Sequence, residues 1–187
     1  MMTLRKIENH LDEDLYAGTA PSGLHYLLNR KRGFSKTIGL LGVRFGSTDN
    51  AFSSQGKRIE VPEGTAHFLE HKLFEDLEGD VSDRFAANGA SCNAGTGFST
   101  TSYTFSCTGK VKDNLALLLN FVQSPYFTPE LVEKEQGIIG QEIMMYNDDP
   151  DWVAFFNLMK CLYREHPVQQ NIAGSLDSIR EINSNVL

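Results

Sequence analysis

Cysteine is scarce in this chain, three in 187 residues, and Cys92, Cys107 and Cys161 show neither CxxC nor any other metal-ligand spacing. An odd number argues against a fully paired disulfide framework, so the three read as buried or free thiols of a reducing cytoplasm, although Cys92 and Cys107 fall on neighbouring predicted strands where they could face each other. Positive charge is in deficit as well. Seventeen Lys and Arg stand against 24 Asp and Glu, a net charge of −7, and the basic footprint of a nucleic-acid binder is missing. Long hydrophobic runs are also lacking. The polar stretch Met1–Leu15 has no apolar core of the kind a secretory signal needs. The most apolar early segment, Ile38–Phe45, is interrupted by Gly39, Gly42 and Arg44 and is too short to cross a bilayer as a helix. The expectation is a soluble, cytoplasmic protein with no membrane span. Repeats, low-complexity tracts and long linkers are absent too.

What is present suffices for one sizeable core: 41% of the residues are hydrophobic, and the length fits a single domain, residues 1–187. Runs at Asp14–Thr19, Leu24–Arg30 and Lys36–Gly46, punctuated by Pro21-Ser22-Gly23 and Lys31-Arg32-Gly33, predict strands and a small opening sheet. A helix follows from Glu63-Gly64-Thr65 to about Glu75, then a short one over Val81–Ala87 ended by Asn88-Gly89. Ser91–Cys107, rich in Ser, Thr, Phe and Tyr, predicts two strands around the turn Gly95-Thr96-Gly97. Lys112–Gln123, Pro129–Asn147, Asp151–Arg164 and Ser175–Ile182 read as helices, with Pro129 at a tolerated helix start. This order indicates an α+β fold, a mostly antiparallel sheet with helices packed on one face. The last predicted helix has no closing element after it, so a truncated, N-terminal piece is expected.

The chemistry concentrates in Gly64-Thr65-Ala66-His67-Phe68-Leu69-Glu70-His71. Histidines four apart on a helix share one face, one turn apart, and can grip one ion. Glu70, three residues after His67, falls on that face within reach of a water on the ion. Leu69 and Leu73 point the opposite way, into a core. The plainer alternative is two ordinary surface histidines. Against it, the rest of the helix is largely apolar, so three ionisable groups would need interior partners, and neutral imidazoles with a carboxylate are a usual zinc set.

A catalytic zinc commonly takes three protein ligands. The helix from Pro129 collects Leu131, Val132, Glu135, Ile138, Ile139, Glu142 and Tyr146 on one face, which places two carboxylates in an apolar stripe, seven residues or about two turns apart. Each could instead pair with a basic side chain such as Lys72 or Arg84. Periodicity alone leaves open which of the two would bind a metal and which would support it from behind.

His67-Phe68-Leu69-Glu70-His71 with Glu135-Gln136-Gly137-Ile138-Ile139-Gly140-Gln141-Glu142 resembles the inverted zinc motif, HxxEH, of the insulinase and mitochondrial-processing-peptidase family. The likeness runs from about Leu15 to Ile182. It implies the LuxS- and processing-peptidase-like metallohydrolase fold and a zinc metalloendopeptidase with one zinc per chain. His67, His71 and Glu142 would be the ligands, Glu70 the catalytic base and Glu135 the supporting carboxylate. Ser91-Cys92-Asn93-Ala94 resembles the family's edge strand, on which a peptide is bound as an added strand, with Asn93 and Ala94 as contacts. The family's clamshell of two halves, sometimes completed by a paralogous subunit, implies a missing C-terminal half and low activity for this piece alone. The rival reading is a zinc-containing scaffold subunit that performs no catalysis.

Overall fold

The computed structural model describes residues 4–10 and 13–187. The chain divides into two compact units, Met1–Lys36 and Thr37–Leu187. The first is an antiparallel meander of β1 (Arg5–Ile7), β2 (Asp14–Thr19) and β3 (His25–Arg30) in that order. At its edge Glu13 accepts from Asn29 at 2.6 Å and pairs with Lys31. β1 comes from the polar N-terminal stretch, where no strand is predicted.

The second unit begins with β4 (Thr37–Val43), a hairpin of β5 (Ala51–Ser54) and β6 (Lys57–Glu60), and helix α1 (Thr65–Leu73). A small ladder, β7 (Glu75–Asp76) with β8 (Gly79–Asp80), leads into α2 (Val81–Ala87). Then come β9 (Ala90–Thr96), β10 (Thr101–Cys107), α3 (Val111–Phe121), α4 (Pro129–Asn147), α5 (Pro150–Leu162), one 3-10 turn (Pro167–Gln169) and α6 (Ser178–Glu181). The segment Lys36–Gly46 leaves the opening sheet: β4 pairs with β10 instead, giving an antiparallel sheet of order β4-β10-β9. Gly39 lies opposite Phe105, and any side chain there would strike the Phe105 ring. The turn falls after Thr96 rather than around it, because Thr96 still pairs with Thr101. The final helix covers four residues, since Ser175 and Ser178 cap each other in a turn.

Strand alternation decides which face is covered. Tyr103, Phe105 and Cys107 of β10 are buried with Leu41, Cys92 and Ala94 against Leu69 and Leu73 of α1, Val81 and Phe85 of α2, and Leu118 and Phe121 of α3. Ile38 and Leu40, on the other face of β4, are exposed. Helices therefore cover one face of this sheet. Cys92 stands opposite Phe105 and Cys107 opposite Ala90, so the two thiols do not face each other, and all three cysteines are free. Among the described residues no helix is long and apolar enough to cross a membrane.

A second core joins α1 to α4: Phe68 packs with Val132, Ile139, Ile143, Ala173, Ile179 and Ile182. Ile138, assigned by periodicity to the inner face of α4, is exposed, and Gly140 and Ile143 are inside instead. α4 starts where Thr128 caps Leu131 N–H ahead of Pro129, a cap worth about 1 kcal/mol. α1 starts at Gly64 in the left-handed region, φ 85°. A Cβ there would come within 2.5 Å of the Ala173 carbonyl, so only glycine lets the 173–174 backbone close over the head of α1. α1 is held between the sheet core and α4, and this sets the site.

Candidate metal centre

His67, Glu70 and His71 come from α1, and Glu135 and Glu142 from α4. The helical period puts both imidazoles on one face, with ring centroids 4.6 Å apart. His67 Nε2 lies 3.7 Å from Glu142 Oε1, and His71 Nε2 lies 3.5 Å from Glu142 Oε2. Both separations exceed ordinary N–H···O lengths. One ligand atom from each of His67, His71 and Glu142 falls within 4.8 Å of the others. Tetrahedral zinc with bonds of about 2.0–2.1 Å would want neighbours roughly 3.3 Å apart, so the donor set fits the ion with small side-chain adjustments.

The hydrogen bonds around the cluster point the donors inward. His71 Nδ1 donates to the buried Glu135 at 3.0 Å, which commits the proton to Nδ1 and leaves the Nε2 lone pair facing Glu142. Tyr146 donates to Glu142 Oε1 at 2.5 Å, and its ring stacks on Trp152 at 4.5 Å. Neither cation that could have neutralised the two glutamates does so. Lys72 is bonded to Glu75, and Arg84 to Asp76 and Glu78.

Electrostatics separate the two rings. Burial first, then the neighbouring charge of His71, pushes His67 down to about 4, against the pull of Glu142 and Glu135. That ring is neutral at neutral pH. The hydrogen bond to Glu135 raises His71 above the ordinary histidine value, with burial opposing. Burial raises the Glu70 carboxyl, while a 2.6 Å hydrogen bond from Thr96 Oγ1 to its Oε2 pulls the other way. Burial and Glu142 push the Tyr146 hydroxyl up to about 12, so it remains a donor.

Thr96, which the sequence reading treats only as a turn residue, therefore belongs to the cluster. It ends β9, the edge strand of its sheet. Asn93 and Ala94 stand three and two residues before it on the same strand, Asn93 exposed and Ala94 packed on the core. They are not drawn into the histidine cluster. The signal for Thr96 was available only as a β-branched residue at a strand end, a common occurrence.

The family model for insulinase, peptidase family M16, matches residues 50–176, and the chain belongs to that family. YmfH, an uncharacterized zinc protease of Bacillus subtilis, is 49% identical over 179 residues, which cover 95% of this chain and 42% of YmfH. A crystal structure named for an M16-like peptidase from Alicyclobacillus acidocaldarius has a TM-score of 0.91 at 44% identity, covering 96% of this chain and 43% of that one. An M16 inactive domain from Pseudomonas fluorescens, at 20% identity and a TM-score of 0.77 over 92% of this chain and 41% of its own, shares the fold. The chain thus spans less than half the length of these relatives, and a domain named inactive shares its architecture. Fold alone does not separate active from inactive members; the side chains of the cluster must.

Proposed function

We propose that this chain is the metal-carrying part of a zinc endopeptidase, with His67, His71 and Glu142 as ligands, Glu70 as catalytic base and Glu135 as the carboxylate that orients His71. The convergence of two imidazole nitrogens and a carboxylate that no lysine or arginine among the described residues neutralises carries this reading. Membership of the M16 family and the zinc-protease name of its relative support it.

Zinc supplies Lewis acidity, acidifying water and polarising the scissile carbonyl. The chain's own residues do the rest. Glu70, raised by burial, takes the proton of the attacking water and returns it to the leaving amine. Thr96 holds one oxygen of that carboxylate, so the other is presented in a defined direction. Glu135 keeps the His71 proton on Nδ1. A peptide added to the free edge of β9 at Asn93 and Ala94 would run past Thr96 and so past Glu70. The remaining length of the longer relatives is where we place the second half, which completes the substrate cleft.

Elemental analysis of the purified protein tests the site. We expect one zinc per chain, its loss in Glu142→Ala, and its retention in Glu70→Gln. With the second half restored, Glu70→Gln should lose nearly all hydrolysis of a quenched peptide. A zinc-loaded Glu70→Gln with wild-type turnover would remove Glu70 as the base, a zinc-loaded wild type that hydrolyses no peptide with the second half restored would favour the scaffold reading, and a wild type that takes up no zinc would overturn the metal site.

A further inference from the structure

Lysine is among the residues least often fully buried, yet Lys72, directly after His71, has no exposed surface. Its ammonium bonds Glu75, and the second oxygen of Glu75 accepts from Lys134 of α4 at 3.2 Å. Glu75 is itself held in place, since it pairs with Asp80 in the β7–β8 ladder while Arg84 of α2 grips the adjacent Asp76. Two consecutive residues of α1, His71 and Lys72, thus reach two consecutive residues of α4, Glu135 and Lys134, the first directly and the second through Glu75.

Two adjacent tethers restrain both rotation and sliding of one helix against the other. Glu142 stands seven residues beyond Glu135, roughly 10 Å along the axis at 1.5 Å per residue. A rotation of about 10° at the anchor would move an atom at the helix rim by about 1 Å, enough to spoil a ligand set. A buried ion pair is weak support for stability, because desolvation offsets the attraction; fixing register is its best-attested use.

We propose that Lys72, Glu75 and Lys134 form a register lock between α1 and α4 that positions Glu142 over the two imidazoles. Lys72 is a positioning residue, and the inference rests on the metal site proposed above.

The test measures zinc affinity, by competition with a chromophoric chelator, and metal-free melting temperature for the full chain and four variants: Glu142→Ala, Lys72→Met, Lys134→Met, and the double variant Lys72→Met with Glu75→Leu. The double variant replaces the buried Lys72 and its half-buried partner Glu75 by apolar volume and should melt near the wild type. Its zinc affinity, like that of Lys72→Met, should fall tenfold or more, in the range for lost support of a ligand. Lys134→Met changes an exposed residue that folding does not need and should weaken zinc about threefold. Wild-type affinity in the Lys72→Met, double and Lys134→Met variants overturns the lock while leaving the site intact, and so does a loss of affinity that only follows a fall in melting temperature. A wild type that binds zinc no better than Glu142→Ala overturns the site, and the lock with it.

Discussion

The first turn of α1, around His67, and its last turn, around His71 and Lys72, hold their side chains by different physics. His67 is enclosed by packing: it is buried, its Nδ1 has no hydrogen-bond partner among the described residues, and burial keeps it neutral. His71 is more exposed and is held by a charged hydrogen bond to Glu135, next to the Lys72–Glu75 pair. In the proposed metal site one imidazole would be ready to bind because it cannot easily be charged, and the other because its direction is set, although its raised pKa makes protons stronger competitors for it. Identical residues one turn apart can thus be prepared for one role by desolvation at one end and by hydrogen bonding at the other.

Removing the carboxylate at the second end should have the largest effect. Glu135→Gln takes the charge from behind His71 and should weaken zinc binding about 10- to 100-fold at neutral pH. The same carboxylate raises His71, so proton competition is relieved in the variant and the gap between it and the wild type should narrow as pH falls. Chelator competition at pH 8 and pH 6 would check both; a gap that widens in acid would mean that Glu135 does not control the proton on His71.

The first end has the opposite sign. The folded His67 titrates near 4 against an ordinary 6.5, so between these values the unfolded chain binds more protons and the metal-free fold loses stability as pH falls. His71, raised, works against this: its contribution is present in acid and is lost as pH rises through its folded value. Between pH 7 and pH 5 the wild type should lose about 1–2 kcal/mol more than His67→Gln, as read from urea unfolding with a chelator present. Equal losses would show that burial does not hold His67 neutral.

Between the two ends lies Glu70, where the smallest effect is expected. Thr96→Val removes the hydrogen bond that lowers the carboxyl pKa, so the acid limb of kcat/KM should move to higher pH. Turnover of the completed enzyme at neutral pH should drop about three- to tenfold, a small part of the roughly 10²–10⁴-fold that a positioned general base contributes, because the base itself is retained, and zinc content should stay unchanged. An unmoved acid limb would detach Thr96 from the base.

The histidine motif was legible because its logic is local: spacings of three and four on one helix need only the 3.6-residue period. The α4 helix was equally plain, with Pro129 inside its start and a regular stripe over nineteen residues. Legibility failed where a partner lies far along the chain. Ile138 belongs to the stripe by arithmetic but is exposed, since the small Gly140 lets Leu176 and Ile179 approach on a slightly rotated face. Strands β5 to β8 are two to four residues long and carry too few alternations to show a period. Thr96 looked like a turn residue because Gly95 and Gly97 flank it, and its role depends on a contact 26 residues away.

By itself the sequence determined the two histidines and Glu70 on one helical face, the pair of glutamates two turns apart on another helix, and the alternation of strands and helices, because each follows from backbone periodicity within a single element. Tertiary structure alone decided which glutamate meets both imidazoles, that Thr96 reaches Glu70, that Lys72 pairs with Glu75 rather than with either glutamate of α4, and that burial lowers the His67 pKa while the Glu135 hydrogen bond raises that of His71. Those outcomes depend on how α1, α4 and β9 pack, and on the desolvation and hydrogen bonds that exist only after they have done so.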